Sequence, residues 1–192
     1  MESLQQNFDE LRQRIRHGKR SDRASDDPVY YLVFHPSQML TVKRRMKQWL
    51  AKLKLEGWHV HTFSMAEVVH DILKNHDLRQ IWLEAEKDAP LDFKSINDTL
   101  ADALTADDAI KNLLDSKLQT LEGEKDAILF VTDLEALHPY LRVGTIEQKL
   151  QGRFTVPTVI LYPGLRAGRT NLRFLGIYPE DGNYRSTHIG DF

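Results

Sequence analysis

Apolar residues near the start of the chain recur with the spacing of one helix face. Leu4, Phe8, Leu11 and Ile15 are four, three and four positions apart, which places their side chains on one stripe. The polar stretch RSDRASDDP then indicates a linker, because proline disfavours helix in the residue before it. The pattern predicts an amphipathic helix and a linker over residues 1–27. The apolar face can pack on the chain's own core or on a partner.

Five short apolar runs further along are typical of buried strands. They are VYYLVFHP at 29–36, WHVHTF at 58–63, AILFVTD at 127–133, TVPTVILYP at 155–163 and NLRFLGIY at 171–178. Helical patterns separate most of these runs, and residues 77–122 contain two or three helices and no strand pattern. Strands that are apolar on both faces and alternate with helices predict a parallel sheet covered on both sides.

The predicted fold class is therefore α/β, with a parallel, Rossmann-like sheet of about five strands and helices on both faces. It resembles the sheet of P-loop NTPases without their phosphate loop. One domain is expected over residues 28–192, with a helical insertion at about 77–122. Local signals place helix boundaries: Ser37 as a cap after the first strand, Gly57 as a stop, and Ser64 with Glu67 as a capping box.

Polar residues follow two of the predicted strands. His35 and Ser37 come after the first strand, and Asp133 and Glu135 come at the end of the third. Ligands bind parallel α/β sheets outside the carboxyl ends of the strands, and nucleotide-hydrolysing sites place a Mg²⁺-holding acid at such an end. These four residues are the candidate ligand-binding residues.

The loop that would use such an acid is missing from the sequence. A phosphate loop has the pattern G-x-x-x-x-G-K-[S/T] between a strand and a helix, and FHPSQMLTVKRR at 34–45 contains no glycine. The nearest match, GLRAGRT at 164–170, has three residues between its glycines and leads into a strand pattern. A strand-terminal Asp is commonly a turn or helix-cap residue. We therefore assign no catalytic residue, metal or cofactor.

Two other polar groups are only partial sites. His59 and His61 lie on one face of a strand, but a metal needs three or four ligands. Ser186, His188 and Asp191 fall within one short tail, whereas a nucleophilic triad needs groups positioned by different elements. Both groups are weaker candidates than the strand ends.

Composition limits the classes of partner. The chain has 26 Lys and Arg against 28 Asp and Glu, for a net charge of −2, so no overall positive field attracts nucleic acid. The basic run KRRMK at 43–47 is typical of a solvated helix face, and DNA contact is possible but not favoured. Arginines and aromatic residues in the tail are typical of protein interfaces. Together with the apolar face of the first helix, they form the predicted partner-binding set: Leu4, Phe8, Leu11, Ile15, Arg169, Arg173, Tyr178 and Tyr184.

The chain has no cysteine, which excludes disulfides and thiolate metal sites. Its first residues are charged throughout, so they lack the apolar core of a signal peptide, and no run reaches the length of a membrane span. A cytoplasmic protein without membrane contact is expected.

Three segments resemble the BrxB family, small proteins of the BREX (bacteriophage exclusion) systems: ILFVTDLEALHPYLRVGTIEQKL, VPTVILYPG and FLGIYPEDGNYRSTHI. The resemblance runs over most of the chain and is sharpest at about 127–189. It implies a component of a multi-gene antiviral system, with a PglZ-like protein of the phosphatase superfamily as partner and possibly other BREX components. The family carries no catalytic residues over to this sequence.

Three hypotheses follow. The first is a non-catalytic adaptor that binds another BREX component. The second is a nucleotide- or metal-dependent enzyme that uses His35, Asp133 and Glu135. The third is a DNA-binding subunit that uses the basic run at 43–47 and the arginines of the tail.

Overall fold

The computed structural model describes residues 4–20, 27–168, 171–182 and 186–190. The helices are α1 Leu4–Arg20, α2 Met39–Leu55, α3 Met65–Lys74, α4 Arg79–Asp88, α5 Phe93–Thr105, α6 Ala109–Leu121 and α7 Val143–Lys149. The strands are β1 Val29–Phe34, β2 His59–Ser64, β3 Ala127–Thr132, β4 Thr158–Ala167, β5 Asn171–Phe174 and β6 Thr187–Ile189. Short 3-10 turns span Pro36–Gln38, Ala106–Asp108 and Leu134–Leu137.

A parallel sheet forms the centre of the protein, with the strand order β2-β3-β4-β1-β6. Every neighbouring pair along that path is parallel. The α/β class and the parallel sheet predicted from the sequence are therefore confirmed. In this order β4 lies between β3 and β1, and so it separates the carboxyl ends of the first and third strands.

Helices cover both faces of this sheet, as the sequence predicts. Neighbouring residues of a strand point to opposite faces. Thus Tyr31 joins a core with α3, α5, α6 and α7, while Tyr30 and Leu32 join a second core with α1 and α2. Residues 77–122 contain the three helices α4, α5 and α6, where the sequence predicts two or three. Among the described residues, no helix has the length and apolar character needed to span a membrane.

Helix α1 packs on the chain's own sheet. Leu4, Phe8, Leu11 and Ile15 are all buried in the core on that face. The Phe8 ring stacks on that of Trp49 from α2, with centroids 4.6 Å apart and planes within 6° of parallel. A partner could reach this apolar face only if α1 left the sheet, so packing on the chain's own core is the alternative that the structure shows.

The last part of the chain departs from the predicted strands. β5 is short and antiparallel to β4, because three residues join them and a parallel crossover needs a dozen or more. The chain turns after Phe174, where Leu175 and Gly176 have φ angles of 52° and 72°. β6, which pairs in parallel with β1, was not predicted, since three residues are too few for a pattern.

The local helix signals had mixed outcomes. Gly57 follows α2 with a φ of 91°, and the Ser64 hydroxyl accepts a hydrogen bond from the Glu67 N–H at 3.3 Å. The cap predicted at Ser37 was wrong. Ser37 lies inside the 3-10 turn, whose cap is His35, and α2 begins only after that turn. The proline at 36 favours such a turn because it fixes φ at a helical value.

Candidate functional site

Asp133 is the centre of a polar cluster at the carboxyl ends of β2 and β3. The strands pair so that Ser64 lies opposite Thr132, and the next residue after β3 adopts a left-handed conformation, with φ at 59°. This turn directs the Asp133 carboxylate back to the strand ends. Its Oδ2 atom accepts hydrogen bonds from the Ser64 hydroxyl at 2.8 Å and the Thr132 hydroxyl at 2.7 Å.

Lys43 from α2 completes this arrangement. Its Nζ atom lies 2.8 Å from Asp133 Oδ1 and 2.5 Å from Glu135 Oε1. We call Lys43, Ser64, Thr132, Asp133 and Glu135 the strand-end cluster. Burial alone would raise the pKa of Asp133, but hydrogen bonds from Lys43, Thr132 and Ser64 together lower it. Burial likewise opposes charge on Lys43, but its two carboxylate partners raise its pKa. Asp133 and Lys43 are thus held in their charged forms at neutral pH.

Lys43 belongs to the basic run at 43–47, which the sequence predicts to be solvated, and so it was missed as a site residue. A signal was present. Lys43 lies four positions after Met39 and three before Met46, both of which pack against the core, so it borders the inward face of α2 although its side chain is 49% exposed.

The other two ligand candidates form a separate pair. His35 Nδ1 lies 2.7 Å from the Ser37 hydroxyl and accepts from the Ser37 N–H at 3.2 Å. Both residues are exposed at the end of β1. Because β4 lies between β1 and β3, the structure brings Asp133 and Glu135 together through Lys43 but leaves His35 and Ser37 beside them as a second pair.

The strand-end cluster has the residue types of a phosphate and Mg²⁺ site. In P-loop enzymes a lysine contacts the phosphates and a strand-terminal acid holds the metal. Here the lysine amine binds the two carboxylates themselves, at the position that a cation would take. Throughout the described part of the chain, no group of three His, Cys, Asp or Glu could hold a metal ion.

The histidine pair lies at the opposite end of the sheet. His59 Nδ1 and His61 Nε2 each lie 3.0 Å from a carboxylate oxygen of Glu124. The hydrogen bond from His61 is the main cause that lowers the pKa of Glu124. His59 is paired with Ala127 at the start of β3, so the length of the strand separates this pair from Asp133.

The tail serine and histidine lie in a contact with the core. The Ser186 hydroxyl is 3.4 Å from His188 Nε2, and Asp191 lies outside the described residues. Burial, with the charge of Arg166 nearby, lowers the pKa of His188 to about 4. The His188 ring packs edge-on against that of Tyr31, with centroids 5.4 Å apart. This contact fixes β6 against β1.

The predicted partner-binding residues of the tail are held within the chain. Arg173 forms an ion pair with Glu180 at 2.9 Å. The Tyr178 hydroxyl contacts the ring of His138, and the Arg142 guanidinium lies 5.1 Å from the centre of the Tyr178 ring. Arg169 and Tyr184 lie outside the described residues. The contact with a partner stays a prediction for all of them.

A different region exposes apolar surface that the sequence analysis did not single out. Nine large apolar side chains are exposed among the described residues, and five of them lie between positions 78 and 93. These five are Leu78, Ile81, Leu83, Leu91 and Phe93. We call them the exposed apolar cluster. The only available signal was the density of large apolar residues in a short, acidic helical segment.

Comparison with known proteins gives a family and nothing further. No curated protein and no solved structure matches the chain. The family model described as BREX protein BrxB matches residues 61–189. That match contains the second half of β2, the strands β3 to β6, the Asp133 end of the strand-end cluster and the exposed apolar cluster. Since it covers more than half of the 192 residues, the chain belongs to the BrxB family and is a component of a BREX antiphage defence system.

Proposed function

We propose that this chain is a non-catalytic adaptor, which binds a PglZ-like protein of the phosphatase superfamily within the BREX system. The observation that carries the proposal is the exposed apolar cluster. Isolated apolar residues are normal on a surface, but a dense group within sixteen positions is typical of a site that another protein covers.

The strand-end cluster supports the same proposal. A nucleotide site needs backbone donors for the phosphates and an acid free to hold the metal. The segment after β1 has no glycine and begins its turn with a proline. Lys43 forms ion pairs with both Asp133 and Glu135. These residues therefore suit a stabilising role at the sheet edge.

Co-expression tests this proposal directly. The tagged full chain is produced with the PglZ-like protein of its own operon and analysed by size-exclusion chromatography with light scattering. We expect one species with the summed mass of the two proteins. Two separate species at micromolar concentration would contradict the adaptor function with this partner.

The enzyme remains a second candidate because Asp133 and Glu135 do lie at the carboxyl end of a central strand. Titration of the wild-type chain with ATP and Mg²⁺ in a calorimeter tests it, with Glu135→Gln as the comparison. Binding that Glu135→Gln abolishes would favour the enzyme, whereas we expect no heat of binding from either protein.

The ion pairs of Lys43 argue against DNA binding. Lys43 would have to leave two carboxylates before it could contact a phosphate. A fluorescence anisotropy titration with duplex DNA at low and high salt tests this, because phosphate contacts lose affinity steeply as salt rises. We expect no binding at either concentration.

A further inference from the structure

Helices α3, α4 and α5 enclose a groove on the helical insertion. Its volume is about 340 Å³. Apolar side chains from all three helices line it: Leu73, Trp82, Leu83, Ile96 and Leu100. Two small residues also line the groove, Ala85 within α4 and Ala89 at its C-terminal end, and they leave room beside the helix. We call this the insertion groove.

Helix α4 lacks the packing that normally holds a helix of its length. The structure describes all ten of its residues, and none of them is buried. Trp82 is the most covered, with its ring 4.3 Å from that of His76. A helix shorter than about 12–15 residues is marginal in water, and most helical stability in proteins comes from packing an apolar face. The apolar side chains of α4 at the groove are thus not covered by the rest of the described chain.

The surface around the groove is strongly acidic. Residues 77–108 contain nine Asp and Glu against three Lys and Arg, a net charge of −6. Since the whole chain carries −2, the remaining residues carry +4. Two of these acids, Glu86 and Asp92, line the groove itself, together with Arg79. The insertion is therefore the acidic part of a protein that is otherwise basic.

We propose that the insertion groove binds an amphipathic helix of a partner protein, with apolar residues at i, i+3 or i+4 and i+7 and with Lys and Arg beside them. An apolar helix face in a groove is a common mode of recognition. The ten residues of α4 span about 15 Å, which matches two to three turns of such a helix. The proposal rests on the adaptor function and names its contact surface.

Charge selects this occupant over a second copy of the chain. Two insertion grooves that face each other would bring together two surfaces of −6, and like charges at an interface oppose association. A basic helix is instead attracted by the same acids. Its apolar face would cover the apolar side chains of α4 that the chain itself leaves exposed.

Model peptides test the groove on the full chain. The probe is a labelled helical peptide of roughly 15 residues made of leucine and lysine, with glutamate in place of lysine in a control peptide of the same apolar spacing. Binding is measured by fluorescence anisotropy. We expect the basic peptide to bind at least about tenfold more tightly than the acidic one. Equal binding of the two peptides would overturn the charge argument.

Two double variants separate groove binding from general attraction to an acidic protein. Trp82→Ser with Leu83→Ser removes the apolar surface that α4 contributes to the groove and leaves every charge in place. Leu40→Ser with Leu55→Ser is the matched control, since both are exposed on α2. We expect the first to weaken binding of the basic peptide by about tenfold or more and the second to leave it unchanged. Equal affinities of the two variants would overturn the groove.

The same variants in the co-expression experiment distinguish the two proposals. If the PglZ-like complex survives Trp82→Ser with Leu83→Ser and these changes leave peptide binding intact, the groove is overturned and the adaptor stands. If the peptide binds the groove but the PglZ-like protein elutes alone, the partner is wrong and the groove stands. A dimer of this chain that the α4 variant dissociates would assign the groove to a second copy and overturn the proposal.

Discussion

Helices α1 and α4 have the same kind of apolar stripe and opposite surroundings. In α1, Leu4, Phe8, Leu11 and Ile15 recur at helical spacing, and the sheet buries all four. In the α4 region, Leu78, Ile81, Trp82 and Ala85 recur at equivalent spacing, and none of them is buried. Spacing therefore establishes that a helix has an apolar face. The position of the helix in the fold, which depends on the connections of the chain, determines what covers that face.

The difference has a geometric cause. α1 crosses the sheet face formed by Tyr30 and Leu32 of β1, where α2 offers Trp49 as a stacking partner. α3, α5 and α6 take the opposite face. α4 lies beyond them, against α3 and α5 at the insertion groove. Four mutational and pH experiments test this difference between α1 and α4.

The largest effect is expected from Phe8→Ala. The substitution removes a buried ring and leaves a cavity against Trp49, so we expect the free energy of unfolding to fall by about 3–5 kcal/mol. Urea denaturation followed by circular dichroism measures it. Leu40→Ala on the exposed side of α2 is the control. A loss under about 1 kcal/mol would mean that α1 contributes little to the core.

A smaller loss is expected from Asp133→Ala in the strand-end cluster. The substitution leaves the Ser64 and Thr132 hydroxyls and Lys43 without their shared acceptor. Hydrogen bonds to charged groups contribute roughly 1.5–3 kcal/mol, and we expect a destabilisation of about 2–3 kcal/mol. Asp133→Asn, which keeps an acceptor oxygen and tolerates the left-handed backbone, should lose less. An unchanged melting temperature would instead favour a functional acid.

Acid should loosen the contact between α1 and α2. Burial raises the pKa of Asp9, but hydrogen bonds from Gln5, Lys52 and Arg12 outweigh it and lower the pKa from 3.8 to about 2. Because the folded value lies below the unfolded one, the stabilisation is full above pH 3.8 and is lost as the pH falls through about 2.

Asp9→Asn isolates this contribution. Asp9 is 41% exposed, so solvent screening limits the effect, and we expect wild type to exceed the variant by about 1 kcal/mol at pH 5. The difference should shrink steadily below pH 3.8. Chemical denaturation of both proteins across this range measures it. A difference that stays constant would assign the effect to packing and exclude the ion pairs.

The smallest effect is expected from Ile81→Ser. This side chain is 60% exposed, and substitutions away from buried features usually stay within about 0.5 kcal/mol. Urea denaturation should therefore give nearly the wild-type midpoint, in contrast with Phe8→Ala. A loss above about 1.5 kcal/mol would show that α4 is covered within the chain, as α1 is.

The parts of the fold that the sequence predicted are those with local signals. Continuous apolar runs mark β1, β3 and β4, and helical spacing marks α1 to α3 and the helices between residues 77 and 122. Strand order could not be predicted, because the composition of a buried parallel strand does not indicate which strands it pairs with. β6 was missed because its three residues are too few to show a strand pattern. They are recognised as a strand only from their contact with β1, where His188 packs against Tyr31.

The candidate site was predicted only in part for the same reason. Asp133 and Glu135 were found from the strand that precedes them, but the residue that holds both of them comes from a helix ninety positions earlier. Lys43 looked like one cation among several in a basic run. The role of Lys43 becomes visible only in the structure, where α2 packs beside the carboxyl end of β3.

The burial of α1 also bears on how the protein can be handled. Phe8 and Leu11 cover a sheet face that includes Ile128 and Phe130. A chain shortened to begin after residue 27 would expose that face, and a large exposed apolar patch promotes aggregation and unselective adhesion. Such a truncated protein would bind many proteins for reasons unrelated to BREX. Point substitutions on an intact chain are the sound way to map its partners.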